Sequence, residues 1–308
     1  MTTHRLSIVV VAHDMGRELP RTLRSLAADY QRDIAPDDYE IVVVDNGSPT
    51  PVSLEPVEPR RAADVRLLRV DPAPASPARA ANLGIRATDG DIVGLIIDGA
   101  RMASPGLLAL ARRATRMGPR TIVATLAWHL GASRHMDADR TGYDQVAEDA
   151  LLAKAGWFDD GYRLFDISTL AASSSRGWFG PIGESSALFM PRVLWNELDG
   201  LDERFELPGG GLVNHDLFHR ACDLDDVDLI TLLGEGTFHQ IHGGAATSRR
   251  FGWDEMDADY QALRGAPYRP PDKDSLLVGP MGPSALPHLA LSLDWANQRL
   301  QKQRSLRG

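Results

Sequence analysis

Over its first 130 residues the chain alternates between short unbroken apolar runs and longer stretches of mixed polarity. The apolar runs cover 6–12, 40–44, 65–70 and 92–97 and are rich in Val, Ile and Leu. Runs of this kind, without polar alternation, predict strands buried on both faces. The segments between them, notably 19–28 and 77–87, have helical character with a proline near the start. Strand and helix in alternation predict a mostly parallel sheet with right-handed crossovers. A Ser-Pro pair at Ser104 opens a further helix over 105–117, and 121–126 reads as a fifth strand.

The pattern weakens over 128–183, where Trp157, Phe158, Tyr162, Phe165, Trp178 and Phe179 gather, and this stretch reads as a helical and loop insertion. Clear periodicity returns with a strand over 185–190 and a helix over 192–198. A glycine run then leads into a helix over about 214–222. The second half is expected to carry a smaller mixed sheet of its own. Beyond Gly265 come Pro267, Pro270, Pro271, Pro280 and Pro283, then a basic amphipathic stretch over 289–304, read as a strap and a docking helix. Three parts follow: 1–127, 128–265, and 266–308 for the strap and helix.

Composition narrows the chemistry. The 33 Lys and Arg against 42 Asp and Glu leave a formal charge of -9, so nucleic acid and anionic lipid are not expected partners and any anionic ligand must be caught locally. The single cysteine, Cys222, builds neither a disulfide framework nor a thiolate metal site, which fits a cytoplasmic location. The run at 6–12 is too short to span a bilayer, so no transmembrane segment is expected there.

In an open parallel sheet, ligands bind beyond the carboxyl ends of the strands. Those ends are polar here: Ala12-His13-Asp14, Asp45-Asn46-Gly47-Ser48 and Asp98-Gly99-Ala100-Arg101. Taken singly each has a structural reading, because Asp-Asn-Gly-Ser is good turn chemistry and an Asp after a strand often caps a helix. Their order, together with Ser76-Pro77-Ala78-Arg79-Ala80-Ala81-Asn82-Leu83-Gly84, resembles the family 2 glycosyltransferases with the GT-A fold. That resemblance implies an α/β, Rossmann-like mostly parallel central sheet flanked by helices. It also implies sugar transfer from a nucleotide diphosphate donor, linked to UDP, GDP or dTDP, onto a glycan or small-molecule acceptor.

By the same resemblance Ala12, His13, Asp14, Asp45 and Asn46 meet the base and ribose, and Arg79 and Asn82 order the nucleotide pocket. Asp98 matches the first carboxylate of the family's Asp-x-Asp metal motif, with Gly99 between. A divalent cation, Mn²⁺ or Mg²⁺, neutralises charge on the departing diphosphate. The second carboxylate falls at Ala100, a departure that leaves His239 and His242, in Phe238-His239-Gln240-Ile241-His242-Gly243-Gly244, as the replacement ligands, or Arg101 as a substitute charge. Imidazole in the set favours Mn²⁺.

The acceptor side shows Glu184 and the run Gly209-Gly210-Gly211-Leu212-Val213-Asn214-His215-Asp216. The resemblance places Gly210, Gly211 and His215 beside an acceptor and aligns Asp216 with the family's catalytic base. Its structural reading is a helix-start carboxylate paired with Arg220 one turn on, and Glu184 is the next choice of base. Two other readings stay open. One is a binding module without catalysis, prompted by Ala100; the other is a sugar nucleotidyltransferase, which lacks the expected Gly-rich, Lys-bearing loop after the first strand. Stereochemical outcome and homo-oligomerisation are also open.

Overall fold

The computed structural model describes residues 5–54, 64–243 and 252–305. Its strands are β1 (Leu6–Ala12), β2 (Tyr39–Asp45), β3 (Asp64–Arg69), β4 (Ile92–Ile96), β5 (Arg101–Ala103), β6 (Thr121–Leu130), β7 (Ser168–Leu170), β8 (Ala187–Pro191), β9 (Asp228–His239) and β10 (Ser275–Val278). Its α-helices are α1 (Leu19–Ser25), α2 (Ala78–Ala87), α3 (Leu107–Thr115), α4 (Ala138–Thr141), α5 (Gln145–Ala155), α6 (Arg192–Leu198), α7 (Val213–Asp223), α8 (Trp253–Arg264) and α9 (Leu289–Ser305). All the strands join one sheet, ordered β10-β9-β6-β8-β4-β1-β2-β3, with β5 added to β9 and β7 to β6.

Strands β4, β1, β2 and β3 run parallel, and β8 is the antiparallel link between β4 and β6. Every residue of β1, β2 and β4 is buried. Alternate residues serve opposite faces: Val9, Val11, Val42 and Val44 join one core layer, and Ile8, Val10, Ile41 and Val43 the other. This two-sided burial is why the sequence shows unbroken apolar runs. Helix α2 lies close on its face because Gly84 has no side chain; a Cβ there would come within 2.4 Å of Val9 and 2.9 Å of Val44.

The second half corrects some boundaries. Its strands extend the main sheet and do not form a detached smaller one, since β8 and β6 bond edge to edge with the parallel half. The fifth strand runs on to Leu130, and the long strand β9 was not foreseen from its pattern. A register shift in β9 opposite Thr125, with Gly234 at φ +66°, breaks its periodicity. The insertion holds α4, α5 and several 3₁₀ turns. Trp178 and Phe165 of its aromatic group enter the core around Trp128, whereas Phe158 is exposed. The strap contributes β10 to the sheet edge. Helix α9 docks on the turn at Gly177–Phe179, where Ser292 Oγ accepts from the Trp178 amide at 2.9 Å.

Candidate active site

Strand order changes direction at β1, with β2 on one side and β4 on the other, so the loops after β1, β2 and β4 part and leave a crevice at their carboxyl ends. A cleft of about 940 Å³ opens there, the size of a ligand site. One wall comes from Ala12, His13, Asp14 and Asn46, and another from Glu184, Gly211, Asn214 and His215. The floor carries Asp98, Arg101, His129, His239 and His242.

On the first wall His13 Nδ1 lies 2.8 Å from the Asn46 carbonyl. The Asp14 amide donates to Ser48 Oγ at 2.9 Å, and Asp14 takes φ +53°. Asn46 donates through Nδ2 to the Pro74 carbonyl at 3.1 Å, while its buried Oδ1 has no hydrogen-bond partner among the described residues. That oxygen is an acceptor available to a ligand.

On the floor, one ladder row crosses three strands: Arg101 of β5 faces His239 of β9, which faces His129 of β6. Residues directly opposite share a sheet face, so the row presents three cationic or imidazole side chains together. Asp98 joins it from the end of β4. His239 Nε2 lies 2.8 Å from Asp98 Oδ2 and 3.0 Å from His242 Nε2, and His242 Nε2 lies 3.4 Å from the same carboxylate oxygen. Ligand atoms of the three all fall within 4.8 Å of one another. Burial, then the charge of Arg101, pushes His239 down to about 3, so its imidazole is neutral at physiological pH. Burial opposes ionisation of Asp98, yet the adjoining imidazoles hold its carboxyl well below the usual range. One hard oxygen and two imidazole nitrogens converging on one point fit a divalent cation with mixed preference, Mn²⁺ ahead of Mg²⁺.

On the second wall Glu184 Oε2 accepts from Asn214 Nδ2 at 2.5 Å and lies 3.7 Å from His215 Nδ1. Burial alone would raise the Glu184 carboxyl. The charges of His215 and Arg101 and hydrogen bonds from Asn214 and Ser173 outweigh it and lower the pKa, so the group is ionised and faces the cleft. Trp253 and Tyr268 also line the cleft and pack edge-on around His215, with centroids 5.8 and 5.1 Å away.

Residues 7–137 match the sequence pattern of Glycosyl transferase family 2. The match covers less than half of the chain. No match is found among curated proteins. Among solved structures, S. aureus TarS 1-349 in complex with UDP-GlcNAc is 10% identical with a TM-score of 0.54, covering 96% of this chain and 73% of that one. S. aureus TarS 1-349 aligns at 12% identity and TM-score 0.53 over 77% of this chain, and longer TarS at 12% and 0.53 over 84%. The alignments span 60% and 42% of those two TarS chains. At such identity the likeness is one of fold, and the chain has the GT-A architecture of a large mostly parallel sheet flanked by helices. Among the described residues no helix is long and apolar enough to cross a membrane.

The cleft gathers Ala12, His13, Asp14, Asn46, Asp98, Glu184, Gly211, His215, His239 and His242 from the residues singled out in the sequence. Others lie elsewhere. Asp216 is fully buried away from the cleft, its carboxylate taking Arg220 Nε at 2.8 Å and Arg264 Nε and Nη2 at 2.6 and 2.8 Å. It follows Asn214 by two residues on α7, and two residues rotate about 200° round a helix, so the two cannot face the same way. Asp45 turns back to cap its own loop, accepting from the Ser48 amide at 2.9 Å and Ser48 Oγ at 2.6 Å and pairing with Arg69. Arg79 is exposed outside the cleft. Ala100 is sealed in the core, with Gly99 buried beneath Ala12, and Gly210 is buried between Val213 and Pro77. Gly244 lies outside the described residues.

Asn82 ties α2 to the loop after α6. It donates to the Leu201 carbonyl at 2.9 Å and Glu203 at 3.0 Å, and accepts from the Leu201 amide at 2.8 Å. Asn82→Ala is therefore expected to lower stability by about 1–3 kcal/mol while nucleotide affinity holds. Thermal melting and calorimetry check it, and lost affinity with an unchanged melting temperature would return Asn82 to the site. Asn214 and His129 are not marked by the sequence: Asn214 reads as the start of a helix, and the apolar pattern of the strand bearing His129 ends at 126.

Proposed function

We propose that the chain transfers a sugar from a nucleotide diphosphate donor to an acceptor hydroxyl, with inversion, and that Glu184 is the base. The observation carrying this reading is the sharing of one cleft by an ionised carboxylate, Glu184, and the Asp98–His239–His242 cluster. His13, Asp14 and Asn46 receive the nucleoside at the strand ends. UDP, GDP and dTDP donors all suit these groups, and the UDP-GlcNAc complex of TarS favours a uridine donor.

Glu184 accepts the proton of the acceptor hydroxyl as that oxygen attacks the anomeric carbon from the face opposite the diphosphate. Asn214 fixes the carboxylate through Oε2. Asp98, His239 and His242 would hold the divalent cation. When bound, the cation supplies Lewis-acid neutralisation of the diphosphate. Residues 1–127 are assigned to the donor, 128–265 to the acceptor and the base, and 266–308 to bracing the sheet edge.

The test is a panel of nucleotide sugars assayed for hydrolysis and transfer with Mn²⁺, with Mg²⁺ and in excess chelator. Release of nucleoside diphosphate, strongest with Mn²⁺ and at least about tenfold lower in chelator, is expected. Full turnover in chelator refutes the metal. Binding without turnover supports a non-catalytic module.

A further inference from the structure

The floor of the cleft carries a guanidinium with no ligand yet assigned to its donors. Arg101 lies on β5, directly across from His239, and lines the cleft. Its Nε and Nη1 are buried without a hydrogen-bond partner, and among the described residues it forms no ion pair. The carboxylates nearby are held: Glu184 has Asn214, and Asp98 has two imidazoles. Arg176 also borders the cleft, but it is exposed and its guanidinium stacks on Trp295 at 4.7 Å. A buried guanidinium with idle donors is costly unless something else satisfies it.

The fold keeps it there for a visible reason. In Asp98-Gly99-Ala100-Arg101 the chain leaves β4 with Asp98 facing the cleft, buries Ala100 in the core, and enters β5 with Arg101 facing the cleft again. The loop thus presents one carboxylate and one guanidinium to the same space. With Ala100 in the core, the floor has a single carboxylate among the Asp98–Arg101 positions, and Arg101 adds a fixed positive charge beside it. In a chain of net charge -9, this is the local means of catching an anion. The planar fork of Arg matches two oxygens of a phosphate.

We infer that Arg101 binds the diphosphate of the donor and holds it as it departs. The inference rests on the nucleotide-sugar reading. As the bond between the anomeric carbon and the phosphate oxygen breaks, its electron pair stays on that oxygen, while the acceptor oxygen forms the new bond and yields its proton to Glu184. Negative charge grows on the diphosphate, beside a guanidinium that needs no reorganisation to receive it.

The test is calorimetric titration of inorganic pyrophosphate, and of uridine and guanosine mono- and diphosphates, into the full chain and the Arg101→Gln and Arg101→Lys variants. It is run in excess chelator so that no cation contributes. Arg101→Gln is expected to weaken pyrophosphate and nucleoside diphosphate by about ten- to a hundredfold and monophosphate by less than about threefold. Arg101→Lys should recover part of the loss, because charge returns without the fork. A second readout is thermal melting without ligand, in which Arg101→Met should melt at an equal or higher temperature because it removes two buried donors that lack a hydrogen bond. Unchanged diphosphate and pyrophosphate affinity in Arg101→Gln, or equal weakening of mono- and diphosphate, overturns the assignment. If the wild-type chain binds pyrophosphate through Arg101 but no nucleotide, the donor reading fails and the oxyanion site stands. If it binds neither, both fall.

Discussion

Glu184→Gln is expected to lose sugar transfer by at least about a hundredfold while the protein folds and binds nucleotide normally. A hydroxyl is a poor nucleophile at neutral pH, and a positioned base contributes about 10²- to 10⁴-fold. Glu184 meets both requirements of such a base: it lines the cleft, and its surroundings keep it ionised at neutral pH. The amide keeps the shape but cannot take a proton. Its effect should fall on kcat with KM for the donor nearly unchanged, because the lost interaction exists only as the acceptor is deprotonated. Nucleotide binding by calorimetry and a melting curve separate this outcome from misfolding. Transfer within about threefold of wild type would remove Glu184 from the reaction and leave His215 as the adjacent candidate.

The second large effect is on stability, at Asp216. Its carboxylate is fully buried and receives three hydrogen bonds from Arg220 and Arg264, and Arg264 also bonds Asp202 at 2.8 Å. This knot fastens α7 to α8, and Arg220 further donates to the carbonyls of Leu198 and Gly200 at 2.9 and 2.8 Å, reaching the end of α6. Removing the carboxylate takes the central partner from two guanidinium groups, a loss of about 3–5 kcal/mol where the pair is buried. Both arginines are about a quarter exposed, so the lower end of that range applies to Asp216→Ala. Chemical denaturation should show the loss as a lowered midpoint with an unchanged slope. Asp216→Asn should also melt early, yet its folded fraction should transfer sugar at close to the normal rate. A hundredfold loss of transfer at an unchanged melting temperature would instead mark Asp216 as the base.

These two carboxylates show what was legible in the sequence. The strand ends were legible because β1, β2 and β4 are buried on both faces, so their Val and Ile runs stop abruptly where Ala12, Asn46 and Ile97 meet the crevice. Asp98, His239 and His242 could be named because strand-end position and ligand chemistry point the same way, and they do converge in one cluster. Asp216 could not be placed, because the phase of α7 is set by arginines on its own next turn and on α8, 48 residues away. Spacing from the glycine run gives no such phase. Asp45, too, looks the same in sequence whether it faces a ribose or caps its own Ser48, as it does. Strand β9 was hidden by the irregularity around Gly234. Arg101 was visible as a charge but not as an unpaired one, since pairing depends on β5, a three-residue strand too short to predict.

The central claim is that this cleft holds a nucleotide diphosphate sugar through the strand ends and the Asp98–His239–His242 cluster. The most direct measurement is calorimetric titration of UDP-, GDP- and dTDP-sugars into the wild-type chain and His242→Ala, with Mn²⁺ and in excess chelator. One donor class should bind the wild-type chain at one site per chain, at least about tenfold more tightly with Mn²⁺, and His242→Ala should lose that enhancement. Absence of binding by all three classes, or a Mn²⁺ enhancement that His242→Ala leaves intact, would contradict it.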